Sequence, residues 1–114
     1  MSGFPRHERL QKRPDFLRIS RQGSKIQTAG FIILWTEAPQ TAVRIGITVS
    51  GKVGNAVTRN RIKRFIREFY RHNKGLFAPA DYSIIARQGA ARLDYTDVCQ
   101  DLGRALQRLQ KQPC

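Results

Sequence analysis

Val43-Arg44-Ile45-Gly46-Ile47-Thr48-Val49-Ser50, Gly51-Lys52-Val53-Gly54-Asn55 and the following run Ala56–Asn73 are three consecutive pieces whose periodicities decide the fold. In the first, Val43, Ile45, Ile47 and Val49 alternate with Arg44, Gly46, Thr48 and Ser50. A period of two describes a strand with one buried face and one open face that is small or polar. The second is a glycine-flanked loop ending at Asn55, whose side chain can accept a free backbone N–H and cap a helix. The third is that helix, expected over 56–73. At about 100° per residue, Ile62, Phe65, Ile66 and Phe69 share one arc. Asn60, Lys63, Arg64, Arg67, Arg71 and Lys74 share the opposite arc, with Arg59 and Arg61 on its two flanks. One side can dock on a sheet; the other is a cationic stripe about 20 Å long, from a rise of about 1.5 Å per residue.

The flanking sequence completes a small domain. Residues 1–12 are polar and basic and read as an extended arm. Pro14 to Gly23 reads as a short helix, with proline suited to its first turn and glycine to its stop. Residues 25–36 are β-branched and aromatic, a strand that can break near Ala29-Gly30. Ala38-Pro39-Gln40-Thr41 is a turn. Residues 82–87 form another strand. A last helix, about 94–111, has Asp94 and Asp97 in its first turn, Arg108 and Lys111 near its end, and an apolar stripe of Val98, Leu102, Ala105, Leu106 and Leu109. The order is α-β-β-α-β-α, with one more strand if 25–36 is split. It describes a single α+β domain over 1–114, an open sheet of about four strands packed by helices.

Charge narrows the function. The chain has 114 residues with 21 Lys and Arg against eight Asp and Glu, a formal net charge of +13. Such a balance attracts polyanions and is a footprint of nucleic-acid binding. Sixteen of the basic and four of the acidic side chains lie in residues 1–74, so the contact belongs to the first two thirds. Like charges at i,i+3 and i,i+4, as in Lys63 with Arg67 or Arg67 with Arg71, cost a few tenths of a kcal/mol each unless a counter-charge arrives. A merely solvated helix face would mix signs; here Glu68 is the one acid on the helix. Arginine forks pair bidentately with phosphate oxygens. The helix start adds free N–H groups beside Lys52 and Asn55.

Other classes are poorly served. Of the acids, Asp94, Asp97 and Asp101 alone are close in sequence, and they look like helix-dipole partners and surface rather than a nuclease metal site. Gly51-Lys52-Val53-Gly54 is too short for a phosphate-binding P-loop. His7 and His72 are lone histidines among cations. Cys99 and Cys114 lack metal-ligand spacing and read as reduced thiols. Apolar runs fall short of the roughly 20 residues of a membrane span, and no apolar signal core follows the start. A cytoplasmic protein without membrane contact is expected. DNA-reading helices usually sit in a helix-turn-helix, zinc finger or zipper, none of which is visible, so RNA is favoured over DNA. Phe16 can either pack in the core or stack on a base; Trp35 reads as core or sheet cover. A structural ribosomal protein, a protein-only nuclease and a DNA-binding regulator are the competing readings.

The run Gly51-Lys52-Val53-Gly54-Asn55-Ala56-Val57-Thr58-Arg59-Asn60-Arg61-Ile62-Lys63-Arg64, with its Arg-Asn-Arg core at 59–61, resembles the signature of the bacterial ribonuclease P protein family. The resemblance extends to the Phe16 helix, the 44–50 and 81–87 strands and the final helix. It implies a two-layer α+β domain in the order α-β-β-β-α-β-α, with a left-handed β-α-β crossover like that of the second domain of ribosomal protein S5. That hand is one the general rule disfavours. It further implies an RNA-binding subunit of a ribonucleoprotein endonuclease, in which a large catalytic RNA removes the 5′ leader of precursor tRNA. Metal ions, Mg2+ above all, serve the RNA, and the protein itself holds no cofactor and supplies no catalytic side chain. Carried onto this chain, Lys52, Asn55, Arg59, Asn60, Arg61, Lys63, Arg64, Arg67 and Arg71 face the catalytic RNA. Phe16, Arg44 and Thr48 belong to a cleft for the precursor-tRNA leader. Family members can carry an aromatic where Ser20 stands and another where Leu34 stands, so aromatic stacking in this cleft is expected to be thin.

Overall fold

In a computed structural model, which describes residues 6–10, 12–36 and 43–111, the alternating 43–50 segment becomes an edge strand of a four-stranded sheet. The strands are β1 (Ser24–Gln27), β2 (Phe31–Thr36), β3 (Arg44–Thr48) and β4 (Asp81–Ala86), in the spatial order β1-β2-β4-β3. The helices are α1 (Arg13–Gln22), α2 (Ala56–His72) and α3 (Tyr95–Lys111). The 25–36 segment does split. Thr28 turns the chain by pairing both its backbone N–H and its Oγ1 with Phe31, and β1 and β2 form an antiparallel hairpin. The expected turn at 38–41 lies outside the described residues. β2 pairs antiparallel with β4, whereas β3 pairs parallel with β4. Parallel neighbours need a crossover connection, and α2 supplies it.

Register sorts every side chain by face. Ile26, Phe31, Ile33, Ile45, Tyr82, Ile84 and Ala86 point one way. They join Ile62, Ile66 and Phe69 of α2 and Val98, Leu102, Ala105 and Leu106 of α3 in one buried cluster. The helix arcs expected from periodicity are therefore the ones that dock, with half-buried Phe65 at the margin. Trp35 covers the edge of this core. The other face carries Arg44, Gly46, Thr48, Asp81, Ser83 and Ile85, and α1 lies across part of it.

Helix ends follow local chemistry. Asn55 Oδ1 accepts the Thr58 N–H at 2.9 Å, as the sequence suggests, while Asn73 closes α2 by donating its side-chain amide to the Phe69 carbonyl at 2.9 Å. Ahead of α3, Asp94 and Asp97 each accept the other's backbone N–H, at 2.8 and 3.2 Å. Reciprocal capping of this kind satisfies two donors that a helix start leaves free.

Within the segment read as an extended arm, residues 9 and 10 lie along β3. Leu10 is buried, its N–H donates to the Ile45 carbonyl at 2.9 Å, and Arg9 bridges Ile45 in parallel sense. The free edge of β3 is thereby partly covered, which satisfies backbone groups that an edge strand would expose. Glu8 adds a side-chain anchor: Tyr70 of α2 donates to it at 2.5 Å and Lys74 reaches it at 3.1 Å. Burial pushes the Glu8 carboxyl up, but these hydrogen bonds and the Lys74 charge outweigh it and hold the group below its usual range. Lys74 falls just past α2 rather than on its stripe, with its ammonium 5.3 Å from the centre of the Tyr70 ring.

Candidate nucleic-acid interface

With its apolar arc against the sheet, α2 turns Asn60, Arg64, Arg67 and Arg71 to solvent. Lys52 is exposed in the loop ahead, anchored by buried Val53. Arg59 and Lys63 lie half-buried on one flank, and Arg61 lies half-buried on the other. Of the nine residues assigned to an RNA contact, Asn60, Arg61, Arg64 and Arg67 line one open depression, and the other five lie along α2 and the loop ahead of it.

These cations are not equivalent. Arg61 Nη2 donates to the Ala91 carbonyl at 2.8 Å, on the short helical turn Gln88–Arg92. Its Nε is buried without a hydrogen-bond partner among the described residues, as is the Nε of Arg59. The Arg64 guanidinium rests 5.6 Å from the centre of the Phe65 ring. Arg71 donates to Glu68 at 2.5 Å, and Glu68 also meets His72 at 3.4 Å. That hydrogen bond from Arg71 holds the Glu68 carboxyl below its ordinary value despite the opposing effect of desolvation. Arg71 is therefore partly neutralised by Glu68. Asn55 is exposed and has its side-chain oxygen committed to the helix cap.

On the opposite side of the sheet lie Phe16, Arg44 and Thr48. Thr48 is exposed. Phe16 lies over Gly46 so closely that a Cβ there would come within 2.3 Å of the ring, so the missing side chain of Gly46 makes the seat for the aromatic. Phe16 accordingly sits on the open face, apart from the main core.

Arg44 is placed there as expected but is not a free cation. Its Nε and Nη2 donate to Asp81 Oδ1 and Oδ2 at 2.8 and 2.7 Å, and its Nη1 lies 3.6 Å from Asp15. Arg18 of α1 also donates to Asp81, whose side chain is fully buried. Donating to the Asp81 carboxylate raises the Arg44 pKa still further. Two guanidiniums and two carboxylates thus lock α1 to the ends of β3 and β4. Sequence reading missed Asp81, because only the register that sets Arg44 opposite Asp81 reveals the pair. It also missed Val57, an apolar residue on the solvent side of α2.

Among the described residues, no group of His, Cys, Asp or Glu could hold a metal ion. No helix is long and apolar enough to cross a membrane.

Comparison with known proteins gives a consistent result. The Ribonuclease P family profile matches residues 4–110. The Ribonuclease P protein component of Geotalea uraniireducens is 50% identical over 108 residues, spanning 95% of this chain and 96% of that one. That of Citrifermentans bemidjiense is 49% identical over 110 residues, spanning 96% and 95%. The RNase P protein structure from Staphylococcus aureus superposes with a TM-score of 0.85 at 34% identity, covering 90% of this chain and 95% of the other. The one from Thermotoga maritima gives 0.81 at 36%, covering 89% and 96%. A basic helix docked by its apolar arc on an α+β sheet, within a chain matched almost end to end, places this chain in the ribonuclease P protein family, the RNA-binding protein component of a ribonucleoprotein endoribonuclease.

Proposed function

We propose that the outward face of α2, with Lys52 and Asn55 at its start, binds the catalytic RNA, and that the open sheet face beside Phe16 and Thr48 receives the 5′ leader of precursor tRNA. The observation that supports this most directly is the division of α2: Ile62 and Ile66 are fully buried while Arg64 and Arg67 stand in solvent. Bond cleavage belongs to the RNA and to Mg2+ held by it. The protein raises the affinity of RNA for substrate by neutralising phosphates on one side and gripping the leader on the other. Arg44 serves this cleft through position, holding α1 and therefore Phe16 in place. With Ser20 and Leu34 where relatives can carry aromatics, Phe16 is left as the main stacking surface.

Two measurements test the reading. Adding the protein to a ribonuclease P RNA at low magnesium should increase cleavage of precursor tRNA; recovery of ribosomal RNA alone from cells would favour a ribosomal role instead. Binding to the catalytic RNA should also fall steeply with salt. Six to eight phosphate contacts imply a log–log slope of about −4 to −7, and a slope near −1 would contradict a phosphate-binding stripe.

A further inference from the structure

Val57 is 77% exposed, and the other exposed large apolar side chain among the described residues, Leu17 at 41%, is far less open. A lone surface valine needs no explanation. This one, however, lies in an open depression of about 530 Å³ whose other walls are Asn60, Arg61, Arg64 and Arg67. Two of those walls are already fixed. Arg61 is tied to the Ala91 carbonyl and Arg64 leans on the Phe65 ring, so both guanidiniums are held by the protein before any ligand arrives. Asn60 is exposed and its side chain makes no hydrogen bond within the described residues, leaving its amide donor and acceptor both available.

A site built only for the backbone of an RNA helix would want cations and no apolar floor. Resting on the RNA-binding reading above, we infer that this depression seats one unstacked nucleotide of the partner RNA. Its sugar or base face rests on the Val57 isopropyl group, the Asn60 amide meets a base edge or 2′-hydroxyl, and Arg64 and Arg67 take the adjoining phosphates. Unstacked bases set against apolar groups and guanidinium planes are the usual means by which proteins recognise folded RNA beyond its charge. The surrounding positive charge argues against a second copy of this chain as the occupant, since like surfaces would meet.

Val57→Ala tests this. Alanine is the better helix former, so the variant folds. Binding is measured across a salt series against a ribonuclease P RNA transcript and against a fully paired RNA duplex. For the transcript, Val57→Ala should weaken binding about tenfold, the factor that one or two methylene-equivalents of buried apolar surface are worth, with the log–log salt slope unchanged. Duplex binding should not move. Arg67→Ala, in contrast, should weaken both and make the slope shallower by about 0.7–0.9. Transcript affinity within twofold of the parent, an equal loss on the duplex, or altered sedimentation of the RNA-free variant would each overturn the seat. A parent protein with a slope near −1 would sink the RNA-face reading itself, whatever Val57 does.

Discussion

Replacing Asp81 by asparagine removes one negative charge from a fully buried position while keeping the side chain's size. Three donor contacts converge there, Nε and Nη2 of Arg44 and Nη2 of Arg18. Asparagine offers one acceptor oxygen in place of two and turns an amide donor toward a guanidinium. The side chains of Arg44 and Arg18 are only 22% and 28% exposed, so water compensates them incompletely. Breaking a buried pair in this way typically costs about 3–5 kcal/mol. The remaining Asp15, 3.6 Å from Arg44, and the partial exposure of both arginines favour the lower end. A loss of about 3 kcal/mol is a large share of the roughly 5–15 kcal/mol that holds a domain together. It should lower Tm by roughly 10–15 °C. Urea melts of the parent, Asp81→Asn, Arg44→Leu and the double variant form the assay. In the double variant the two losses should fall short of additive by more than about 1 kcal/mol, because the pair is already broken. Single losses below about 1 kcal/mol, or additivity within about 0.5 kcal/mol, would refute the clamp.

Gly46→Ala would place a Cβ 2.3 Å from Phe16 Cε1, forcing the ring off its seat. In the reconstituted enzyme the advantage of leader-bearing over leaderless tRNA should shrink by the equivalent of one stack, about 1–3 kcal/mol, with affinity for the catalytic RNA retained. Arg59→Ala and Arg61→Ala should weaken RNA binding yet melt within about 1 kcal/mol of the parent, whereas Ile62→Asp, at a fully buried position, should fail to fold by circular dichroism. Stability should also bend at both ends of the pH range. The lowered pKa of Glu8 gives stability that is present above its ordinary 4.5 and lost as pH falls through the folded value, so Glu8→Gln should flatten the acid limb of a stability–pH curve. Tyr82, pushed up to about 12 by burial, gives stability that is complete below its ordinary 10.0 and lost as pH rises toward 12; Tyr82→Phe should flatten the alkaline limb.

Much of this molecule was legible in local pattern. The alternation of Val43–Val49, the arcs of 56–73, the cap at Asn55 and the stripe of 98–109 all depend on neighbours within a turn or two, and the structure keeps them. The cationic surface follows from the same periodicity, since a helix that buries Ile62 and Ile66 has no choice but to expose Arg64 and Arg67. Tertiary structure decided what spans the chain. Arg44 and Asp81 are 37 residues apart and Arg18 and Asp81 are 63 apart, and only strand register and the docking of α1 make them partners. Glu8 and Tyr70, 62 apart, tie residues that read as an extended arm to the far end of α2. Periodicity reports which face is apolar; it does not report which distant charge will be buried beside which. That is why Arg44 reads in the sequence as a residue of the leader cleft and stands in the folded protein in an ionic cluster with Asp81, Asp15 and Arg18.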